Sequence, residues 1–186
     1  MVLIVIDGLD ASGKSTQALI LHKILKENGK KVFLRIHPSS NSFFGTLTRR
    51  SLYKIGKSAY LASAISYMLD VICSIILYSW RRYDYIIFVR YLMGTAYLPS
   101  PIHRIAYQFF ASWVPRSKLM FFIDVNPQEA YRRIIRTRAK QEIFESLQEL
   151  RKVRQRALAL ARLDNWKIID GDKPVSEVAN EIRSYL

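Results

Sequence analysis

A chain of 186 residues, half of them hydrophobic, is long enough to bury a substantial core and fits one domain. Its single cysteine, Cys73, excludes an intramolecular disulfide scaffold, and no N-terminal stretch resembles a cleavable signal, so the expected compartment is the cytoplasm. An excess of 29 Lys and Arg over 15 Asp and Glu leaves a formal charge of +14, which suits anionic partners: nucleotides, nucleic acid or an acidic membrane surface.

The first apolar run, Val2 to Ile6, reads as a buried strand. It stops at Asp7 and gives way to Gly8-Leu9-Asp10-Ala11-Ser12-Gly13-Lys14-Ser15-Thr16, the spacing G-x-x-x-x-G-K-S/T of a phosphate-binding loop. An amphipathic helix marked by Ala18, Leu19, Leu21, Ile24 and Leu25 follows, so the motif sits between strand and helix, where phosphate binding requires it. Gly8 and Gly13 let the backbone turn tightly enough for the amides around Ala11 and Ser12 to face one phosphate, and the helix from Lys14 through Thr16 adds its positive end. Lys14 then reaches the β- and γ-phosphates, and the Ser15 hydroxyl is the expected ligand for Mg²⁺.

Gly29 closes that helix, and Val32 to Ile36 reads as a second strand, followed by a polar, turn-rich segment from His37 to Gly45. The stretch Ala59 to Trp80 has about the length of a membrane span but carries Asp70 at its centre and serines at 63, 66, 74 and 79. It reads instead as one or two long buried helices on a sheet. Tyr85 to Val89 forms a third strand, with Pro99 and Pro101 interrupting the region after it, and Leu119 to Val125 a fourth. Asn126-Pro127 starts a helix that carries the densest basic run, Arg132, Arg133, Arg136, Arg138 and Lys140. From Phe144 onward, Leu147, Leu150, Val153, Ala157 and Leu160 recur at helical spacing with Arg and Lys opposite. Trp166 to Ile169 is the last strand, ending in Asp170-Gly171-Asp172-Lys173-Pro174 before a short helix through Val178 and Ile182.

Strands alternating with helices imply right-handed crossovers and a parallel sheet covered on both faces. The expected fold is therefore α/β: a P-loop NTPase fold with five parallel strands, in a single domain over 1–186 with a small lid near 133–146. A phosphate loop alone does not separate kinases from GTPases, ATPases or motors. A strand-end Asp-x-x-Gly switch and a base-reading Asn-Lys-x-Asp are both missing from the sequence.

The chain resembles the thymidylate kinase family of nucleoside monophosphate kinases nearly end to end. The loop Asp7 to Gln17 is similar to that family's, which usually begins Glu-Gly-Leu-Asp. Val89-Arg90-Tyr91 with Ala96-Tyr97 resembles its Asp-Arg-Tyr and later Ala-Tyr, and Ile123-Asp124-Val125-Asn126-Pro127-Gln128-Glu129-Ala130 its strand-to-helix junction. Phe144-Glu145 and Val153-Arg154 resemble the end of its lid and the next helix.

The resemblance implies phosphoryl transfer from ATP to the 5′-phosphate of thymidylate, with Mg²⁺ as cofactor. Lys14 and the loop amides would hold the donor. Arg90 would hold the acceptor phosphate, a task suited to its planar fork. Asp10 would contact the sugar 3′-hydroxyl. Tyr97 would pack beneath the sugar and disfavour a 2′-hydroxyl, a core role being the alternative. With Leu, Asp, Ala and Ser between the loop glycines, a transition-state arginine must come from the lid: Arg136 and Arg138 first, Arg133 next. Homodimers are common in the family. A nucleic-acid partner is not expected, because the aromatics are not interleaved with the basic run as stacking platforms.

Three departures stand out. Val89 replaces the family's Asp, a carboxylate that helps fix the metal; Asp7 or Asp124 would have to take over, unless both only satisfy neighbouring backbone groups. His37-Pro38-Ser39-Ser40 replaces a Glu-Pro-Gly-like turn. The stretch Tyr60 to Tyr67, where the family usually places Phe and Arg against the base, has no arginine; Tyr67 or Tyr60 would stack on the base or belong to the core, and Arg49 or Arg50 would replace a contact. Weakened turnover or a high Mg²⁺ requirement, another nucleotide or nucleoside acceptor, and a catalytically weak nucleotide-binding protein with nucleic-acid affinity stand as alternatives.

Overall fold

The computed structural model describes residues 1–51, 57–79, 82–137 and 146–186. The side chains of Arg49, Arg50 and Tyr60, the residue Arg138 and most of the expected lid lie outside the described residues.

Five strands, β1 (Val2–Gly8), β2 (Val32–Ile36), β3 (Tyr85–Val89), β4 (Leu119–Asp124) and β5 (Lys167–Asp170), form one all-parallel sheet in the order β2-β3-β1-β4-β5. All five coincide with the apolar runs to within a residue or two. Continuous Val, Ile and Phe content suits strands buried on both faces, and alternate residues here enter two separate cores. Val5, Phe88, Met120 and Phe122 face one layer, with residues of α3 (Lys57–Ser79), α4 (Ile102–Trp113) and α6 (Leu147–Leu163). Ile4, Ile6, Ile87, Val89, Phe121 and Ile123 face the other, with α1 (Lys14–Glu27), α5 (Pro127–Thr137) and α7 (Val175–Arg183). Each fully buried side chain of this size contributes roughly 1.5–3 kcal/mol of transfer free energy.

β1 lies at the centre, between β3 and β4, and the chain moves from β1 to one side of the sheet before crossing to the other. Such a switch point opens a crevice at the carboxyl ends of the strands, and the loop Leu9–Gly13 sits there. Gly29, with φ +72°, ends α1 as expected: the Gly29 and Lys30 amides donate to Lys26 and Leu25 carbonyls at 2.9 and 3.1 Å. Ser146 caps α6 by accepting from the Glu149 amide at 3.2 Å.

The stretch around Asp70 is one helix, α3, and among the described residues no helix is long and apolar enough to cross a membrane. The apolar spacing read above does not mark two further helices. α2 (Phe43–Ser51) begins inside the turn-rich segment, and α4 turns an apolar stripe outward. Between β3 and α4 a 3₁₀ turn, Met93–Tyr97, brings Tyr97 back toward the crevice.

Candidate active site

The phosphate loop has the backbone its glycines predict. A Cβ at Gly8 would stand 2.5 Å from the Ile123 carbonyl oxygen and 2.6 Å from Ser12 Oγ, so this position is closed to any side chain. Gly13 has φ +88°, a left-handed conformation that favours glycine immediately before α1. Lys14 is buried; its Nζ donates to the Leu9 carbonyl at 2.6 Å and lies 3.7 Å from Asp10 Oδ1. Ser15 is half-buried and Thr16 exposed in the first turn of α1, where helix N–H groups lack intrahelical acceptors. The buried Ser12 hydroxyl has no hydrogen-bond partner among the described residues. A buried hydroxyl left so is costly, and an anionic ligand in the loop would satisfy it.

Asp10 joins this loop to the end of β3 and the 3₁₀ turn. Its Oδ1 accepts from Arg90 Nη2 in a very short contact, and its Oδ2 accepts from the Tyr97 hydroxyl at 2.9 Å. Arg90 Nη1 also donates to the His37 carbonyl at 3.2 Å. Burial alone would raise the Asp10 pKa, but the Arg90 and Lys14 charges and the Arg90 and Tyr97 hydrogen bonds hold it well below the ordinary carboxylate range. Arg90 is shifted the other way: burial disfavours its charge, and the Asp10 carboxylate more than restores it. Burial and the Asp10 charge push the Tyr97 hydroxyl well above its ordinary value, so it stays protonated and donates. Two cations thus share one carboxylate, leaving positive charge for phosphate. Lys14, Asp10, Arg90 and Tyr97, drawn from three parts of the chain, meet at one place.

The carboxylates considered as substitutes at Val89 are otherwise engaged. Asp7 Oδ2 accepts from the Tyr91 and Met93 amides at 2.7 and 3.2 Å, and Oδ1 from the Gly8 amide at 3.0 Å. Burial raises its pKa despite these bonds and the Lys14 charge. Asp124 is held by both Nε and Nη2 of Arg154, at 2.6 and 2.8 Å. Val89 is fully buried in the apolar layer with Ile6 and Ala18. Among the described residues no group of three His, Cys, Asp or Glu is placed to hold a metal ion. The half-buried Ser15 at the start of α1, with no carboxylate cluster around it among the described residues, fits Mg²⁺ carried mainly by substrate phosphates, the usual mode for an ion that keeps its waters and dehydrates reluctantly.

Of the arginines on α5, Arg133 reaches the loop. Its Nη1 lies 3.4 Å from the Ala11 carbonyl, and Glu129 Oε1 accepts from its Nε at 2.9 Å. Arg136, ranked ahead of it from the resemblance, is exposed in the last turn of the helix. The difference is one of position along the helix: both lie on the Glu129 face, but Arg133, one turn on, is held by Glu129 and reaches Ala11, whereas Arg136 sits in the last turn of α5. Tyr67 belongs to the core. Its hydroxyl donates to the Tyr91 carbonyl at 3.1 Å, and its ring packs where a Cβ on Gly94 would collide, so the stacking alternative does not hold.

A buried polar cluster beneath Arg90 escaped the sequence. Asp70, with no exposure, accepts from the Ser39 amide and hydroxyl, both at 2.7 Å, and from the Ser42 hydroxyl in a short contact. Arg35 Nη2 lies 4.0 Å from Asp70 Oδ1 and 2.9 Å from Ser39 Oγ. Arg35 Nε and His37 Nε2 converge on Ser74 Oγ at 3.2 and 3.0 Å. The signal was present: one charge in the second apolar strand and one in the apolar helix, each requiring a partner when buried.

Residues 6–182 match the family model for thymidylate kinase. A relative from Pyrobaculum calidifontis named "Probable thymidylate kinase" is 30% identical over 98% of this chain and 94% of its own. One of the same name from Pyrobaculum aerophilum is 32% identical over 100% of this chain and 96% of its own. The solved structure of a thymidylate kinase from Candida albicans superposes with a TM-score of 0.73 at 23% identity, covering 98% of this chain and 89% of that one, a likeness of fold. The matched region takes in the phosphate loop, the strand-end arginine and the strand-to-helix junction on which the resemblance first rested, and the chain belongs to the thymidylate kinase family.

Proposed function

We propose that this protein is a cytoplasmic, single-domain kinase that transfers the γ-phosphoryl group of ATP to the 5′-phosphate of thymidylate, giving ADP and thymidine diphosphate. The observation that carries the reading is the convergence of Asp10 with Lys14, Arg90 and Tyr97. It joins a donor-phosphate loop to an arginine and an aromatic suited to a nucleoside monophosphate.

A phosphate oxygen of the acceptor attacks the γ-phosphorus as the bond to the β–γ bridging oxygen breaks, and ADP departs. The protein's task is alignment and charge neutralisation. Lys14 exchanges the Leu9 carbonyl for donor phosphate oxygens. Arg90, with donors left beyond those given to Asp10 and His37, holds the acceptor phosphate. Asp10 accepts from the sugar 3′-hydroxyl, and Tyr97 closes the space beneath the sugar. Arg133 stands at the loop, positioned to meet charge on the transferring group, with Arg136 in the last turn of α5. Mg²⁺, with the Ser15 hydroxyl as its protein ligand, would supply further neutralisation of the β- and γ-oxygens.

A homodimer is part of this reading. Ile102, Ile105, Phe109 and Trp113 form an exposed stripe along α4, next to exposed Ile65 on α3 across a shallow apolar groove. A continuous apolar face of this kind is suited to a second copy.

The test is ADP release with ATP and Mg²⁺ across a panel of deoxynucleoside and ribonucleoside monophosphates. Thymidylate-selective release is the expected outcome; selective release with another acceptor would move the specificity, and none with any acceptor would end the kinase reading.

A further inference from the structure

We propose that His37 is a positioning residue for the acceptor-phosphate arginine: its buried imidazole grips the carbonyls of Val89 and Arg90 and so presents the Arg90 guanidinium in one orientation. The inference rests on the assignment of Arg90 to the acceptor phosphate.

Arg90 is the first residue beyond β3 and has φ +60°, a left-handed conformation that is unfavourable for a non-glycine residue. Such a conformation persists only where neighbouring groups determine it. The Arg90 amide donates to the Ile6 carbonyl at 3.1 Å, which anchors one side of the residue. Its carbonyl has left the strand ladder and faces His37 Nδ1 at 3.0 Å, with the Val89 carbonyl 3.2 Å from the same nitrogen. In return, Arg90 Nη1 donates to the His37 carbonyl at 3.2 Å. Residues 37 and 90 therefore hold each other at both ends, main chain to side chain in each direction.

The hydrogen bonds fix the tautomer. Carbonyl oxygens only accept, so Nδ1 carries the proton, and Nε2 must accept. Its partner is the Ser74 hydroxyl at 3.0 Å. That hydroxyl also lies 2.8 Å from the Asp70 carbonyl, but the helix already offers that carbonyl the Ser74 amide, so the proton is needed at Nε2. The ring is fully buried and stands edge-on to Phe88, with centroids 5.3 Å apart at 72°. Arg35 and Asp70, of opposite sign, flank it from β2 and α3. The Asp70 bonds to Ser39 and Ser42 pin the chain just after His37 to α3, so the grip on Arg90 is backed by a rigid element.

His37→Asn retains an amide donor near the Nδ1 position and His37→Leu removes it, so the two separate the hydrogen bond from packing. For His37→Leu the KM for thymidylate is expected to rise about tenfold or more, with the KM for ATP within about twofold of the parent. His37→Asn should restore the thymidylate KM to within about threefold, and Ser74→Ala, which removes the Nε2 partner together with an acceptor for Arg35 Nε but leaves the Nδ1 grip, should fall between. Nitrogen-15 spectra of the imidazole should show a neutral ring protonated at Nδ1. Parallel rises in both KM values, an asparagine variant as impaired as the leucine one, or no change in either KM would overturn the proposal. A proton at Nε2 would overturn it whatever the kinetics, and if His37→Leu does not fold, the other two variants and the tautomer decide. Absence of thymidylate turnover in the parent protein would instead refute the acceptor assignment, with the tautomer judging the His37 grip separately.

Discussion

Asp10→Asn isolates the charge that couples the two substrate sites. The side chain keeps its size and an oxygen for Tyr97, but the carboxylate facing Arg90 and Lys14 disappears. The buried Lys14 and the partly buried Arg90 then lose the carboxylate between them. At the 3.7 Å separation of Lys14 from Asp10, Coulomb attraction with an effective dielectric of 20 is about 4 kcal/mol, and removing one member of a buried pair costs about 3–5 kcal/mol. The retained amide oxygen recovers part of this, so a loss of about 2–3 kcal/mol is expected, or roughly 5–10 °C in Tm for a domain of this size.

The sign reverses when a polyanion enters. Phosphate neutralises Lys14 and Arg90 in place of Asp10, so inorganic pyrophosphate or ATP without metal should raise the Tm of Asp10→Asn by more than it raises the parent's. Turnover should respond differently, because the amide is a poorer acceptor for the sugar hydroxyl: kcat/KM for thymidylate is expected to fall about 30- to 150-fold, and that for ATP by much less. Thermal melts with and without pyrophosphate, beside kinetics with each substrate varied, check both arms. An unchanged Tm together with an equal pyrophosphate shift in variant and parent would refute the shared-carboxylate account.

Arg133→Ala should lower kcat by about 10³-fold or more with little change in either KM, whereas Arg136→Ala should lower it far less; the opposite ranking would return the role to the lid side. Val89→Asp places a carboxylate in a fully buried apolar site, so Tm should fall, while the Mg²⁺ concentration for half-maximal turnover should drop. An unchanged Mg²⁺ dependence counts against a missing metal ligand. Burial depresses the His37 pKa from 6.5 to about 4, outweighing the nearby Asp70 charge, so the unfolded chain takes up this proton first. Its contribution is complete above about pH 6.5 and is lost as pH falls toward 4, on the order of 3 kcal/mol in all. Urea melts should show a shallower loss between pH 7 and 4.5 for His37→Asn, and parallel slopes would refute the assignment. Trp113→Glu, on the outward face of α4, should yield a monomer in sedimentation velocity if that stripe holds a second copy; a parent protein that is itself monomeric would refute the dimer.

What could be read without coordinates depended on how local each signal is. β1, β3 and β4 announced themselves because strands buried on both faces are apolar at every position, and α1 because loop chemistry fixes where a helix must start. α4 was silent for a physical reason: Ile105, Phe109 and Trp113 have helical spacing but face outward, so their periodicity does not report on the core of this chain. α2 opens amid Ser39, Ser40, Asn41 and Ser42, which read as a turn until Asp70 is seen to collect the hydroxyls of Ser39 and Ser42. Arg90 and Tyr97 came from the family resemblance, since nothing local says that a strand-end arginine 80 residues from Asp10 will pair with it.

The departures from the family pattern also become intelligible together. The turn His37-Pro38-Ser39-Ser40 meets α3 in one buried network, just beyond the arginine-free stretch: His37 bonds Ser74, and Ser39 bonds Asp70. A network so fully satisfied specifies one arrangement of β2, α3 and the end of β3, because breaking any member leaves a buried donor or charge without a partner. Among the described residues Val89 has no comparable compensation. Asp7 is committed to three amides and Asp124 to Arg154, so the positions around the phosphate loop were not rearranged to supply another carboxylate. On the proposed reading the acceptor side rests on buried polar residues separate from those around the phosphate loop, so substrate alignment and Mg²⁺ dependence should respond to separate mutations.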